Sequence, residues 1–104
     1  MLAFYNGTIF TGDRFINGHA VLVNNGLIEA VLPAADLPAD IDRYDLQGNV
    51  LVPALIDLQL YGGNGLLFSQ ALNEEAILAT DAYCVSGGCT RFLLTMATNS
   101  IDIF

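Results

Sequence analysis

The residues of this sequence best placed to do chemistry lie in one short run, Asp57-Leu58-Gln59-Leu60-Tyr61, closed by Gly62-Gly63-Asn64-Gly65. In an extended strand residues two apart share a face, so Gln59 and Tyr61 point the same way. Gln59 can line a binding site, or it can satisfy a buried backbone amide. The glycine-rich segment can offer backbone N–H groups to an anion. It lacks the Lys and Ser/Thr of a P-loop, and a tight turn leaving the strand is the reading we favour.

Other candidate groups are few. His19 is the only histidine and sits at the start of a predicted strand, where it has no partner chemistry. Cys84 and Cys89 straddle a predicted helix end. With one histidine and no second cysteine pair, a zinc site is unsupported, and both thiols are expected to be reduced and buried. Thr95, Thr98 and Asn99 follow a predicted strand and either line a pocket or cap the next helix.

The elements that must position these groups change character along the chain. Asn6-Gly7, Asn17-Gly18 and Asn25-Gly26 tolerate positive φ and read as tight hairpin turns, with Thr11-Gly12-Asp13 as another. The strands between them are Leu2 to Tyr5, Thr8 to Phe10, Arg14 to Ile16, His19 to Asn24 and Leu27 to Leu32, an expected antiparallel meander. Pro33, Pro38 and the acidic stretch between Asp36 and Asp42 read as a surface loop. Val50 to Leu60 is almost continuously apolar and predicts a strand buried on both faces. Asn73 to Ser86 predicts a helix, capped by Asn73, with Ile77, Thr80 and Cys84 on one stripe beside Tyr83 and Gly87-Gly88 as its stop. Thr90 to Thr95 predicts a second buried strand, and Ser100 the cap of a further helix. The order is strands, then β-α-β, then the start of another helix.

Composition excludes several partners. The net charge is −8, with three arginines and no lysine, so no basic patch can neutralise a phosphate backbone and nucleic-acid binding is not expected. Asp, Asn, Gly or Pro interrupts each hydrophobic stretch before it reaches the ~18 residues of a membrane span. The N-terminal residues do not read as a secretory signal, which makes the cytoplasm the expected location. Apolar residues are 54% of the 104, unusually many for a small soluble domain, so the chain reads as cut from something larger.

Leu51-Val52-Pro53-Ala54-Leu55-Ile56-Asp57-Leu58-Gln59-Leu60-Tyr61 resembles the Pro-Gly-x-Ile-Asp-x-His-x-His signature on the first barrel strand of amidohydrolases. Gln59 and Tyr61 stand where that signature has its histidines, and Ala54 where it has glycine. Gln59 fits the N-acetylglucosamine-6-phosphate deacetylase branch, some of whose members carry Gln-x-Asn and a glycine-rich turn there; Tyr61 departs from both patterns. Ser86-Gly87-Gly88-Cys89-Thr90 resembles the branch's Ser-Gly-Cys-Thr segment, with one extra glycine. Asn6-Gly7-Thr8-Ile9-Phe10-Thr11-Gly12 resembles its opening hairpin.

The resemblance implies an α/β chain, with antiparallel β-sandwich strands over 1–50 followed over 51–104 by the first β-α-β of an incomplete (β/α)8 barrel. It implies a metal-dependent hydrolase acting on an amino-sugar phosphate, with a divalent ion, commonly zinc, held by a Glu and two His that are expected beyond the second barrel strand and not within this sequence. It makes Gln59, Tyr61, Gly62 and Gly63 lining residues, with Asp57 deeper on the same strand face in a structural role. No catalytic residue and no metal ligand is expected within these 104 residues. A barrel of this kind takes about 250 residues, so the chain is expected to be an inactive fragment that self-associates through unpaired strand edges. A fragment of another amidohydrolase, a cyclic amidase or deaminase, and a non-catalytic self-associating module are the alternatives.

Overall fold

A computed structural model describes residues 1–98 and 100–103. The chain forms two compact units, Met1–Pro53 and Ala54–Phe104, and its architecture is mixed α/β, mostly strands with one α-helix among the described residues. Among the described residues no helix is long and apolar enough to cross a membrane.

The first unit contains β1 (Leu2–Tyr5), β2 (Thr8–Phe10), β3 (Phe15–Ile16), β4 (His19–Asn24), β5 (Leu27–Pro33), β6 (Asp42–Asp45) and β7 (Val50–Leu51), with a 3-10 turn at Ala34–Asp36. These strands make two sheets, ordered β5-β4-β1-β6 and β3-β2-β7. The expected antiparallel meander is only partly present. Asn25-Gly26, with φ of 50° and 78°, is a hairpin turn that sets Asn24 opposite Leu27. Thr11 to Arg14 closes the β2/β3 hairpin, with Phe10 opposite Phe15 and their rings 4.8 Å apart.

Asn6-Gly7 and Asn17-Gly18 are not hairpin turns. They carry the chain from one sheet to the other, because β1 and β2 ladder with late strands: β1 lies parallel to β6 and β2 parallel to β7. Between the two ladders the segments stay bonded, through Leu46 N–H to the Tyr5 carbonyl at 2.9 Å, Gly48 N–H to Asn6 at 2.8 Å and Thr8 N–H to Asn49 at 3.1 Å. Gly7 is needed for that approach, since a Cβ there would meet the Asn49 carbonyl oxygen and, at 2.8 Å, Leu46 Cβ. Positive φ thus identified the turn residues, but burial chose the pairing. Ala3, Ile9, Ala20, Val21, Leu22 and Leu46 are the buried apolar side chains, drawn from both sheets.

The second unit contains β8 (Leu55–Leu60), β9 (Gly62–Gly63), β10 (Leu66–Leu67), α1 (Glu74–Ser86), β11 (Cys89–Leu94) and a 3-10 turn at Ile101–Ile103. β8 and β11 are parallel, with Cys89 opposite Leu55 and Leu94 opposite Leu60. The single apolar strand expected from Val50 to Leu60 is broken at Val52-Pro53-Ala54; its first two residues join β2, and the rest is β8. Nor is β8 buried on both faces: Leu55, Ile56 and Leu58 are 59%, 62% and 71% exposed, because β11 is its one paired neighbour.

α1 begins where expected. The Asn73 side chain accepts the Ala76 N–H at 3.0 Å, and Glu74 and Glu75 sit at the positive end of the helix dipole. Its buried stripe is Ala76, Thr80 and Cys84, spaced by four; Ile77 lies outside it, 42% exposed. The Thr80 hydroxyl is satisfied by the Ala76 carbonyl at 2.7 Å. Gly87 N–H closes on Cys84 at 3.0 Å and Gly88 turns left-handed at φ +79°, ending the helix. After Ser100 the chain forms a 3-10 turn rather than the expected α-helix; Asn99 lies outside the described residues.

Candidate functional site

β8 delivers its polar residues by strand alternation. The Asp57 carboxylate accepts the backbone N–H of Gln59 at 2.9 Å, an interaction within its own strand. One step further, the Gln59 Nε2 donates to the Tyr61 hydroxyl at 2.7 Å. Both side chains are exposed, Tyr61 at 41%. Together with Gly62, Gly63 and the ring of Tyr83 they line a cleft of about 500 Å³.

The glycine-rich segment, expected to be a tight turn leaving the strand, forms a two-stranded hairpin beside this cleft. β9 and β10 pair antiparallel, Gly63 opposite Leu66 and Gly62 opposite Leu67, across the two-residue turn Asn64-Gly65 with φ of 51° and 81°. The signal was present in the sequence, as a fourth Asn-Gly dipeptide of the kind that favours such turns. Asn64 Nδ2 donates to the Ala79 carbonyl at 3.1 Å, pinning the turn to α1.

The glycines are steric requirements of that packing. A Cβ on Gly62 would run into the Leu66 carbonyl oxygen. A Cβ on Gly63 would lie 2.7 Å from Tyr83 Cβ and 2.9 Å from Thr80 Cα, so only glycine lets the ribbon rest against the helix at this distance.

The remaining candidates lie elsewhere. Thr95 donates its backbone N–H to Leu60 at 2.7 Å and its hydroxyl to Leu93 at 3.2 Å; neither it nor Thr98 lines the cleft. His19 Nδ1 is 2.8 Å from the Asn17 carbonyl oxygen in the first unit. Cys84 and Cys89 are both free thiols, Cys84 buried and Cys89 half-buried. Burial, reinforced by the neighbouring Cys89 thiol, pushes the Cys84 thiol above its ordinary value. Among the described residues no three His, Cys, Asp or Glu side chains are grouped to hold a metal ion. The donor set of the ion implied by the resemblance is therefore not met by this chain's described residues.

Residues 1–51 match the family model of the NagA composite domain. The chain is 38% identical over 96 residues to N-acetylglucosamine-6-phosphate deacetylase of Haemophilus influenzae, covering 92% of this chain and 25% of that protein. The crystal structure of N-acetylglucosamine-6-phosphate deacetylase from Pasteurella multocida superposes with a TM-score of 0.89 at 32% identity, over 98% of this chain and 27% of that one. The corresponding enzyme structure from Mycobacterium smegmatis, at 23% identity and a TM-score of 0.81 over 99% of this chain and 29% of that one, shares the fold. The chain thus spans about a quarter of the length of the relatives it matches.

Proposed function

The chain matches the N-terminal part of the N-acetylglucosamine-6-phosphate deacetylase family, and from that premise we propose that it supplies the N-terminal quarter of a hydrolase removing the acetyl group from N-acetylglucosamine 6-phosphate. In this reading Met1–Pro53 contributes β-sandwich strands, while β8, α1 and β11 are the first strand, helix and second strand of a (β/α)8 barrel. A barrel of this type places its site at the C-terminal ends of the strands; Gln59 lies at that end of β8 and Tyr61 directly follows it. Their part is to line the substrate cleft with Gly62 and Gly63. The deacetylase chemistry itself draws on a bound divalent ion, zinc commonly, and on a carboxylate base, for which the described residues offer no ligand set.

The observation that carries this proposal is the similarity to deacetylases running unbroken across both units, over 92% of the chain. The exposed apolar faces of β8 and β11 agree with it, since further barrel strands would cover them. A chimera tests it: this chain replaces the matching quarter of the Haemophilus influenzae relative, and acetate release from N-acetylglucosamine 6-phosphate is measured. Retained metal-dependent turnover is expected. A folded, metal-loaded chimera without deacetylase activity refutes the assignment. The isolated chain, by contrast, is expected to release acetate no faster than a metal-containing blank.

A further inference from the structure

We propose that Gln59 and Tyr61, joined by a hydrogen bond, together form a subsite for adjacent polar substituents on a sugar ring. The inference rests on the deacetylase reading for the identity of the sugar; the geometry of the pair stands apart from it. A carboxamide carries both donors and acceptors and can turn either edge to a ligand. Here one edge is already committed, because Gln59 Nε2 donates to the Tyr61 hydroxyl at 2.7 Å.

Complementary groups are left over: among the described residues Gln59 Oε1 remains a free acceptor, while the second Gln59 N–H and the Tyr61 O–H, whose oxygen has accepted, remain free donors. Turning the carboxamide by half a turn only exchanges the roles: the phenol then donates to Oε1 and the amide N–H becomes the free donor, with a phenol lone pair as acceptor. In both arrangements the pair presents at least one donor and one acceptor on neighbouring side chains. That is what two adjacent ring substituents, a hydroxyl beside a hydroxyl or beside an acetamido N–H, can satisfy together.

The surroundings suit the same class of ligand. The cleft is about 500 Å³, within the range of small-molecule sites, and combines the polar pair with the rings of Tyr61 and Tyr83, 41% and 52% exposed. Aromatic faces beside a few directed polar groups fit a pyranose, whose ring is apolar on its faces and polar at its rim. An anion finds less here: no Lys or Arg lines the cleft, and Gly62 and Gly63 are packed in a ribbon against α1.

The test uses the 104-residue chain, ¹⁵N-labelled, and follows the Gln59 side-chain amide signals by NMR. The probes are N-acetylglucosamine 6-phosphate, glucose 6-phosphate, 2-deoxyglucose 6-phosphate and inorganic phosphate. The first two are expected to shift the Gln59 amide signals, and the 2-deoxy sugar to bind about fivefold more weakly, the scale of one neutral hydrogen bond. Tyr61→Phe should weaken all three sugar phosphates by about fivefold, because the pair holds two adjacent substituents with one group each and the 2-deoxy sugar lacks only one of them. An unaltered affinity of the sugar phosphates for Tyr61→Phe overturns the subsite. Equal shifts with inorganic phosphate overturn it in favour of an anion site, and no shift with any probe overturns it outright. None of these outcomes touches the deacetylase assignment, which the acetate release of the chimera decides separately.

Discussion

Replacing Gly63 with alanine adds a single methyl group at the point where the β9/β10 ribbon meets α1. The new carbon would stand 2.7 Å from Tyr83 Cβ and 2.9 Å from Thr80 Cα. Ordinary carbon contacts lie near 3.5–4.0 Å, so the ribbon and helix must separate by up to about 1 Å. Neither neighbour is the mobile end of a side chain, and Thr80 is fully buried, so the strain cannot be relieved by a rotamer change. Overpacking of this kind costs about 1–3 kcal/mol, and we expect about 2. Urea unfolding, followed by circular dichroism at helix wavelengths, should show the midpoint lowered by about 0.7–2 M for a slope of about 1–3 kcal/mol/M. Gly87→Ala is the control within the same unit. Its φ is −94° and its nearest neighbours stand at 3.6 and 3.9 Å, so it should be neutral or stabilise by about 0.4–1 kcal/mol through the unfolded chain. If Gly63→Ala unfolds at the midpoint of Gly87→Ala, the steric account of the glycine pair is wrong.

Asn73→Ala should cost about 1 kcal/mol in the same unfolding assay, since it removes the acceptor for the Ala76 N–H; a loss below about 0.3 kcal/mol would mean that water caps the helix equally well. The Cys84 thiol is raised above its ordinary value, chiefly by burial, so the folded state holds this proton more tightly than the unfolded state does. Its contribution to stability is therefore complete below about pH 8 and is lost as pH rises past the unfolded value toward the folded one; Cys84→Ala should flatten that alkaline decline, and an unchanged slope would exclude the thiol as its source. The chain should also self-associate, as Leu55, Ile56, Leu58 and Leu93 are all at least 59% exposed on two paired strands. Light scattering that gives a monomer up to millimolar concentration would refute this.

Local chemistry made several features legible without any structure. Asn73, two glutamates and Gly87-Gly88 mark the ends of α1, because capping and helix termination are decided within a few residues of each end. Asn25-Gly26 likewise marks the β4/β5 hairpin, because only left-handed backbone fits a two-residue turn. The alternation Asp57, Gln59, Tyr61 places the last two on one strand face, and both line the cleft.

Tertiary structure decided what local rules leave open. Asn6-Gly7 has the same turn chemistry as Asn25-Gly26, yet it switches sheets, because β1 and β2 find their partners in β6 and β7 far along the chain. Which side of α1 is covered was likewise settled from outside the helix. The stripe runs through Ala76, Thr80 and Cys84, and at Thr80 it meets Gly63, which has no side chain. An apolar sequence such as Leu55 to Leu60 states only that burial is favourable. Whether its side chains are covered depends on how many strands stand beside it, and here a single parallel neighbour leaves most of them in water.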